Sequence, residues 1–198
     1  MSEGWRFRAS PVPTTGAFGP PQAQLWEVAN TADSQVACIH RRVELDNAGS
    51  HMNDNGPRPN AFDIETLTRD NDTYRTVAWT GRYLQVTVMS IPVGESIGLE
   101  THPETDQFLR LDAGRGRVVM GPSREDLPFS QDVEDGWAVT VPAGTWHDII
   151  NTGDEPMQLY AIYAPVHHAA GRVHPTAADS EADEEAGTDE PPEWSVQP

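Results

Sequence analysis

The stretch GWAVTVPAGTWHDIIN, residues 136–151, decides the fold of this chain. Apolar and polar residues alternate on both sides of Pro142 and Gly144, which predicts two strands joined by a tight turn. The turn leads into a strand over 146–151, and we expect it to direct His147 inward. Asn151 closes the strand and is expected to tie its end.

Short strands are predicted on both sides of this stretch. Their ranges are 62–68, 73–80, 82–91, 107–111, 117–120, 137–141, 146–151 and 157–164. Pro, Gly and Asn-Asp breaks separate them, and no helical stretch intervenes. Many short strands at regular spacing favour an antiparallel sandwich or barrel.

The two ends of the chain differ from this centre in composition. Residues 1–60 are predicted to form an irregular arm, with candidate edge strands at 24–28 and 36–39. The segment GSHM at 49–52 is also a common cloning scar, in which case residues 1–48 are a leader or fusion. We assign 61–165 to the barrel and 166–198 to a loop and acidic tail, disordered from about residue 177.

Charge and cysteine content exclude several classes of protein. The 198 residues carry 31 acidic groups against 13 arginines and no lysine, a net charge of −18. Such a field repels phosphate backbones and anionic lipids, so no nucleic-acid or membrane partner is expected. The single cysteine cannot form an internal disulfide, and no signal-peptide or membrane-span pattern is present. The predicted location is cytoplasmic.

A second stretch, GESIGLETHPETDQFLRLDAG at 94–114, carries the candidate chemistry. Glu100 and His102 are two residues apart, so on a strand their side chains face the same side. Gln107 follows at the start of the next predicted strand. Together with His147 from a later strand, these groups predict a metal site inside a small barrel.

The spacing of both stretches resembles that of the cupin family. The second family motif is matched at every position, by Gly136, Pro142, Gly144, His147 and Asn151. The first is matched in spacing, by Gly94, Glu100, His102, Gln107 and Gly114. The resemblance implies an all-β antiparallel jelly-roll barrel over about 62–165. It also implies a homodimer, to which residues 20–60 would add an edge strand.

The ligand set departs from the family pattern of three histidines and one glutamate. Glu100 replaces the first histidine, and Gln107 replaces the glutamate. The resemblance implies metal ligands at Glu100, His102, Gln107 and His147 for a divalent ion such as Fe, Mn, Zn or Ni. Two histidines and one carboxylate are typical of non-haem iron and tolerated by zinc or manganese. The alternative is a metal-free barrel mouth lined with polar residues.

Three functions follow for a protein of this kind. The first is a metal-dependent enzyme acting on a small organic molecule, either an iron oxygenase or a sugar-type isomerase, with Glu100 as the candidate catalytic residue. The second is a non-catalytic small-molecule-binding module. The third is a metal-free structural or interaction domain. The histidines at 167, 168 and 174 form either a second metal cluster or part of a loop that crosses the barrel.

Overall fold

Nine strands and two helices make up residues 54–196, the part of the chain that the computed structural model describes. The strands are β1 Arg75–Thr80, β2 Gln85–Ile91, β3 Asp106–Ala113, β4 Arg115–Gly121, β5 Phe129–Glu134, β6 Ala138–Val141, β7 Trp146–Asn151, β8 Met157–Ala164 and β9 Val173–His174. The helices are α1 Ile64–Asp70 and α2 Ala177–Ala186. No helix in this range is long and apolar enough to cross a membrane.

The strands form two antiparallel sheets, which confirms the all-β jelly-roll prediction. The larger sheet has the order β6-β3-β8-β2-β1-β9, and the smaller has the order β5-β4-β7. Directly paired residues on antiparallel strands point to the same face of a sheet. Met89 pairs with Leu159, and both are buried in the core, so this register identifies the inner face of the larger sheet.

The core lies between the two sheets. Leu109, Leu111 and Leu159 fill it from the larger sheet, and Val118 and Ile149 from the smaller. Each of these side chains is at most 1% exposed, because the alternation along every strand directs one face inward. Asn151 ties the end of β7 as expected, since its Nδ2 donates to the carbonyls of Ile91 and Glu155.

Two elements differ from the sequence prediction. The strand predicted at 62–68 is wrong, because helix α1 occupies most of it. Asp63 caps that helix by accepting from the backbone N–H of Thr66, and Glu65 pairs with Arg69 one turn later. Strand β5 was not predicted, because its first four residues are exposed and show no apolar alternation.

The prediction of a disordered acidic tail is also wrong for the described part of that segment. Helix α2 begins with a capping box between Thr176 and Asp179 and ends at Gly187, whose φ of 65° suits a glycine. The acidic groups find basic partners on the body: Arg172 pairs with Asp183, and His168 with Asp189. These partners offset the low apolar content from which disorder was inferred.

The predictions for the N-terminal arm lie mostly outside the described residues. These are the candidate strands at 24–28 and 36–39 and the GSHM segment at 49–52. Residues 54–60 carry no strand. Asp54 contacts the barrel, since its carboxylate accepts from the backbone N–H and the hydroxyl of Thr80.

Candidate metal centre

The segment before β3 runs antiparallel beside β7, and this brings Glu100 next to His147. The two residues exchange backbone hydrogen bonds of 3.0 and 2.9 Å. Because directly opposed residues share a face, both side chains point into the barrel. The two motifs, far apart in sequence, therefore meet through backbone pairing.

The turn before β7 fixes the third member of the site. Gly144 donates its backbone N–H to the carbonyl of His102 at 2.8 Å. Its φ of 76° lies in the left-handed region that favours glycine, which explains the Pro-x-Gly sequence of the turn. Residue 102 is thereby held beside the entry to β7.

Glu100, His102 and His147, which we call the triad, lie within metal-binding distance of one another. Their candidate ligand atoms are all within 4.8 Å, and they form the one such group found in the described part of the chain. Oε1 of Glu100 is 3.2 Å from Nε2 of His102 and 3.5 Å from Nε2 of His147. The histidine side chains are 8% and 0% exposed, whereas that of Glu100 is 23% exposed.

The protonation of His147 indicates what the triad accommodates. Its Nδ1 lies 3.0 Å from the carbonyl of Thr145, which can only accept, so Nδ1 carries a proton. In the neutral ring Nε2 then presents a lone pair, and this buried atom has no hydrogen-bond partner. It faces the carboxylate of Glu100, so a proton or a cation is needed between the two.

The pKa shifts reflect the same need for positive charge. Burial acts to raise the pKa of Glu100, but the neighbouring imidazoles of His102 and His147 hold it well below its usual range. Burial acts to lower the pKa of His147, but the Glu100 carboxylate raises it above its ordinary value. The donor set of two imidazoles and an ionised carboxylate therefore fits a divalent cation.

Gln107 lies on the inner face of β3, beside a residue that contacts the triad. It is 4% exposed and pairs with Tyr163 on β8, whose ring is edge-on to His102 at 5.6 Å. Its Oε1 is buried without a hydrogen-bond partner. A neutral oxygen in this position suits a fourth ligand or a held water, and its role as a ligand stays a prediction.

Two of the three C-terminal histidines pair with carboxylates, whereas the third contacts the triad. His168 bonds Asp189, and His174 lies 3.2 Å from Asp183. His167 reaches the triad: its ring is 4.1 Å from that of His102 and stacks on Tyr163. Burial lowers the pKa of His167 to about 4, so the ring is neutral at neutral pH.

These positions favour the interpretation of His167, His168 and His174 as part of a loop over that of a second metal cluster. The position of His167 beside the site was not predicted from the sequence. The available signal was its place directly after the last long strand, four residues beyond Tyr163.

A jelly-roll barrel with imidazoles and a carboxylate on its inner wall is the architecture of a cupin. The chain belongs to the cupin family, since the family described as Cupin domain matches residues 87–163. It is 44% identical over 176 residues to YrkC of Bacillus subtilis, an uncharacterized protein, covering 87% of this chain and 92% of that one. Its sequence is 52% identical to that of BH2720 from Bacillus halodurans. The crystal structure of BH2720 matches this fold with a TM-score of 0.66, over 66% of this chain and 99% of that chain.

Proposed function

We propose that this chain is a metal-dependent cupin enzyme acting on a small organic molecule. The triad holds one divalent cation, and Gln107 contributes a neutral oxygen to it directly or through a water. The observation that carries the proposal is the buried, unpartnered Nε2 of His147, 3.5 Å from Oε1 of Glu100. Two acceptors in this arrangement repel each other unless a cation or proton joins them.

The residues of the site have separate roles in this proposal. A divalent cation, when bound, supplies Lewis-acid chemistry, or oxygen activation if it is iron. Glu100 is the most exposed member of the triad, so it is the residue that a substrate reaches first and the candidate to move a proton. His167 and Tyr163 wall the site beside His102 and exclude water from it.

Metal identification and metal titration test the proposal. Elemental analysis of the protein as purified, followed by titration of the chelator-treated protein with Fe(II), Mn, Zn and Ni, should give one ion per chain. His147→Ala should lower occupancy most, because His147 is the fully buried imidazole donor. Equal metal content in wild type and His147→Ala would remove the triad from consideration.

Activity assays then separate the two reaction classes. Oxygen uptake by the Fe(II)-loaded protein with a panel of phenols and thiols supports the oxygenase. Aldose–ketose interconversion that is indifferent to oxygen supports the isomerase. A chain that binds metal yet does neither with any tested compound is the outcome favouring a non-catalytic binding module.

We also propose that the protein is a homodimer, with the second copy on the face that β5 borders. β5 is an edge strand of the smaller sheet, and Phe129 and Trp137 are 49% and 42% exposed in one groove beside it. Light scattering should give twice the 21.7 kDa of the chain. A monomer at all concentrations would overturn this. The cytoplasmic location stays a prediction from the sequence.

A further inference from the structure

Arg75 lies inside the barrel, an unusual place for a charge. In β1 it pairs with Met89 on one side and His174 on the other. Met89 belongs to the core, so the register puts Arg75 on the inner face of the larger sheet. The residue is 2% exposed.

The partners of Arg75 satisfy it only in part. One terminal nitrogen donates to Oγ of Ser180 at 2.8 Å and lies 3.5 Å from the carboxylate of Glu184, which is 55% exposed. The buried Nε has no partner. Water screens an ion pair with so exposed a carboxylate, and an unpaired buried N–H costs free energy. The guanidinium therefore has a free donor at Nε.

The register places Arg75 and the triad on one interior. Met89, the partner of Arg75, pairs with Leu159, and Tyr163 lies four residues beyond Leu159 on the same strand. Because side chains alternate along a strand, Tyr163 and Arg75 share the inner face of the larger sheet. The Tyr163 ring contacts His102, so this face extends to the triad.

Other unpaired polar atoms share this interior. In residues 54–196, eight buried side-chain nitrogen and oxygen atoms have no hydrogen-bond partner. Besides Nε of Arg75 and Nε2 of His147, they include Oγ1 of Thr87, Oε1 of Gln107, Nε2 of His168 and Nδ1 of His174. Thr87 pairs with Ala161 of the core, and His174 with Arg75, so both face inward. Such a concentration of unmet donors and acceptors calls for a polar occupant.

We propose that the barrel interior between Arg75 and the triad binds a small organic acid, whose carboxylate pairs with the Arg75 guanidinium. A hydroxyl or carbonyl group on the same molecule meets the unpaired Thr87 and Gln107. The inference deepens the proposed function by naming its substrate class and rests on it for the reaction. One carboxylate ligand neutralises only part of the charge of a divalent cation. The remaining charge and that of Arg75 make this interior positive, although the chain as a whole has a net charge of −18.

The test compares small acids with their neutral amides. Lactate, glycolate and pyruvate are titrated calorimetrically into metal-loaded and metal-free protein beside lactamide, glycolamide and pyruvamide. At least one acid should bind wild type more tightly than its amide, by about tenfold or more. Arg75→Gln should abolish that preference while metal titration still gives one ion per chain. If no acid outcompetes its amide in wild type, the inference is overturned.

Two further variants keep the test decisive if Arg75→Gln fails to fold. Glu184→Gln removes the competing carboxylate and should tighten acid binding. Ser180→Ala removes only the anchor to α2 and should leave the preference for acids intact. Unchanged acid affinity in Glu184→Gln would reduce Arg75 to an anchor for the helix and overturn the inference. Acid binding without metal binding would overturn the proposed function alone, and metal binding without acid binding would overturn this inference alone.

Discussion

Nδ1 of His168 donates a hydrogen bond of 2.7 Å to the carboxylate of Asp189, and both side chains are at most 3% exposed. Asp189 also accepts from the backbone N–H of Ala169. A residue of the acidic C-terminal segment is therefore an interior partner of the barrel. The tail contributes to the stability of the fold, contrary to the sequence prediction.

Asp189→Ala should destabilise the protein measurably. The change leaves His168 and the Ala169 N–H buried without their acceptor, which costs about 2 kcal/mol. Urea unfolding followed by circular dichroism measures the difference. Glu190→Ala is the matched control, because Glu190 is the next residue and is exposed. Equal unfolding midpoints for the two variants would show that Asp189 does not anchor the tail.

Acid should weaken the fold partly through His168. Burial and the charge of Arg75 hold its pKa well below the ordinary value of 6.5, so the folded chain keeps the ring neutral. The unfolded chain takes up that proton as the pH falls below about 6.5, so stability is present above this pH and is lost below it. The slope for one such histidine is up to about 1.4 kcal/mol per pH unit.

The measurement is the free energy of unfolding between pH 7.5 and 5 in buffer with a chelator. His168→Gln removes the titrating ring while an amide N–H remains to reach Asp189. Its slope below pH 6.5 should be shallower than that of wild type by about one proton's contribution. Parallel slopes would mean that His168 does not stay neutral in the folded chain.

Glu100→Gln should weaken metal binding by about 100-fold or more, because the cation loses its only direct anionic partner in a poorly solvated site. The shape of the side chain is nearly unchanged, so the variant isolates charge. Glu104→Gln, an exposed neighbour, provides the control. Metal titration of the three proteins in one buffer gives the comparison. Wild-type affinity in Glu100→Gln would show that Glu100 is not a ligand.

Gln107→Glu should tighten metal binding, since a hard anionic oxygen replaces a neutral one at a buried position on the inner face of β3. The double variant Glu100→His with Gln107→Glu recreates the usual cupin ligand pattern and should bind metal at least as well as wild type. The same titration measures both. A weaker site in Gln107→Glu would indicate that residue 107 does not reach the metal.

The parts of the fold that the sequence reveals are those in which local signals agree with tertiary packing. β7 and its turn were predictable because alternation, Pro142 and Gly144 all indicate the same geometry. Helix α1 was misread because its short apolar pattern also fits a strand, and the Asp63 cap decides between them. β5 was missed because an exposed edge strand needs no alternation.

The triad was predictable from motif spacing, whereas the burial of Arg75 was not. An arginine in a predicted strand is normally expected to face solvent. Its burial here depends on α2, which lies about 100 residues later and supplies Ser180. Contacts of that kind carry no local sequence signal. The same reason explains why the tail resembled a disordered segment.

The C-terminal segment that packs on the barrel places the end of the folded structure beyond the end of the family match. These two boundaries are often assumed to coincide. The family match spans residues 87–163, yet Arg75 before it has its hydroxyl partner at Ser180 after it, and His168 just beyond the match has its carboxylate at Asp189. A chain trimmed to the match would retain the motifs and lose β1 and both of these contacts. The packed structure therefore extends beyond the family match, and the matched strands alone lack part of their interior contacts.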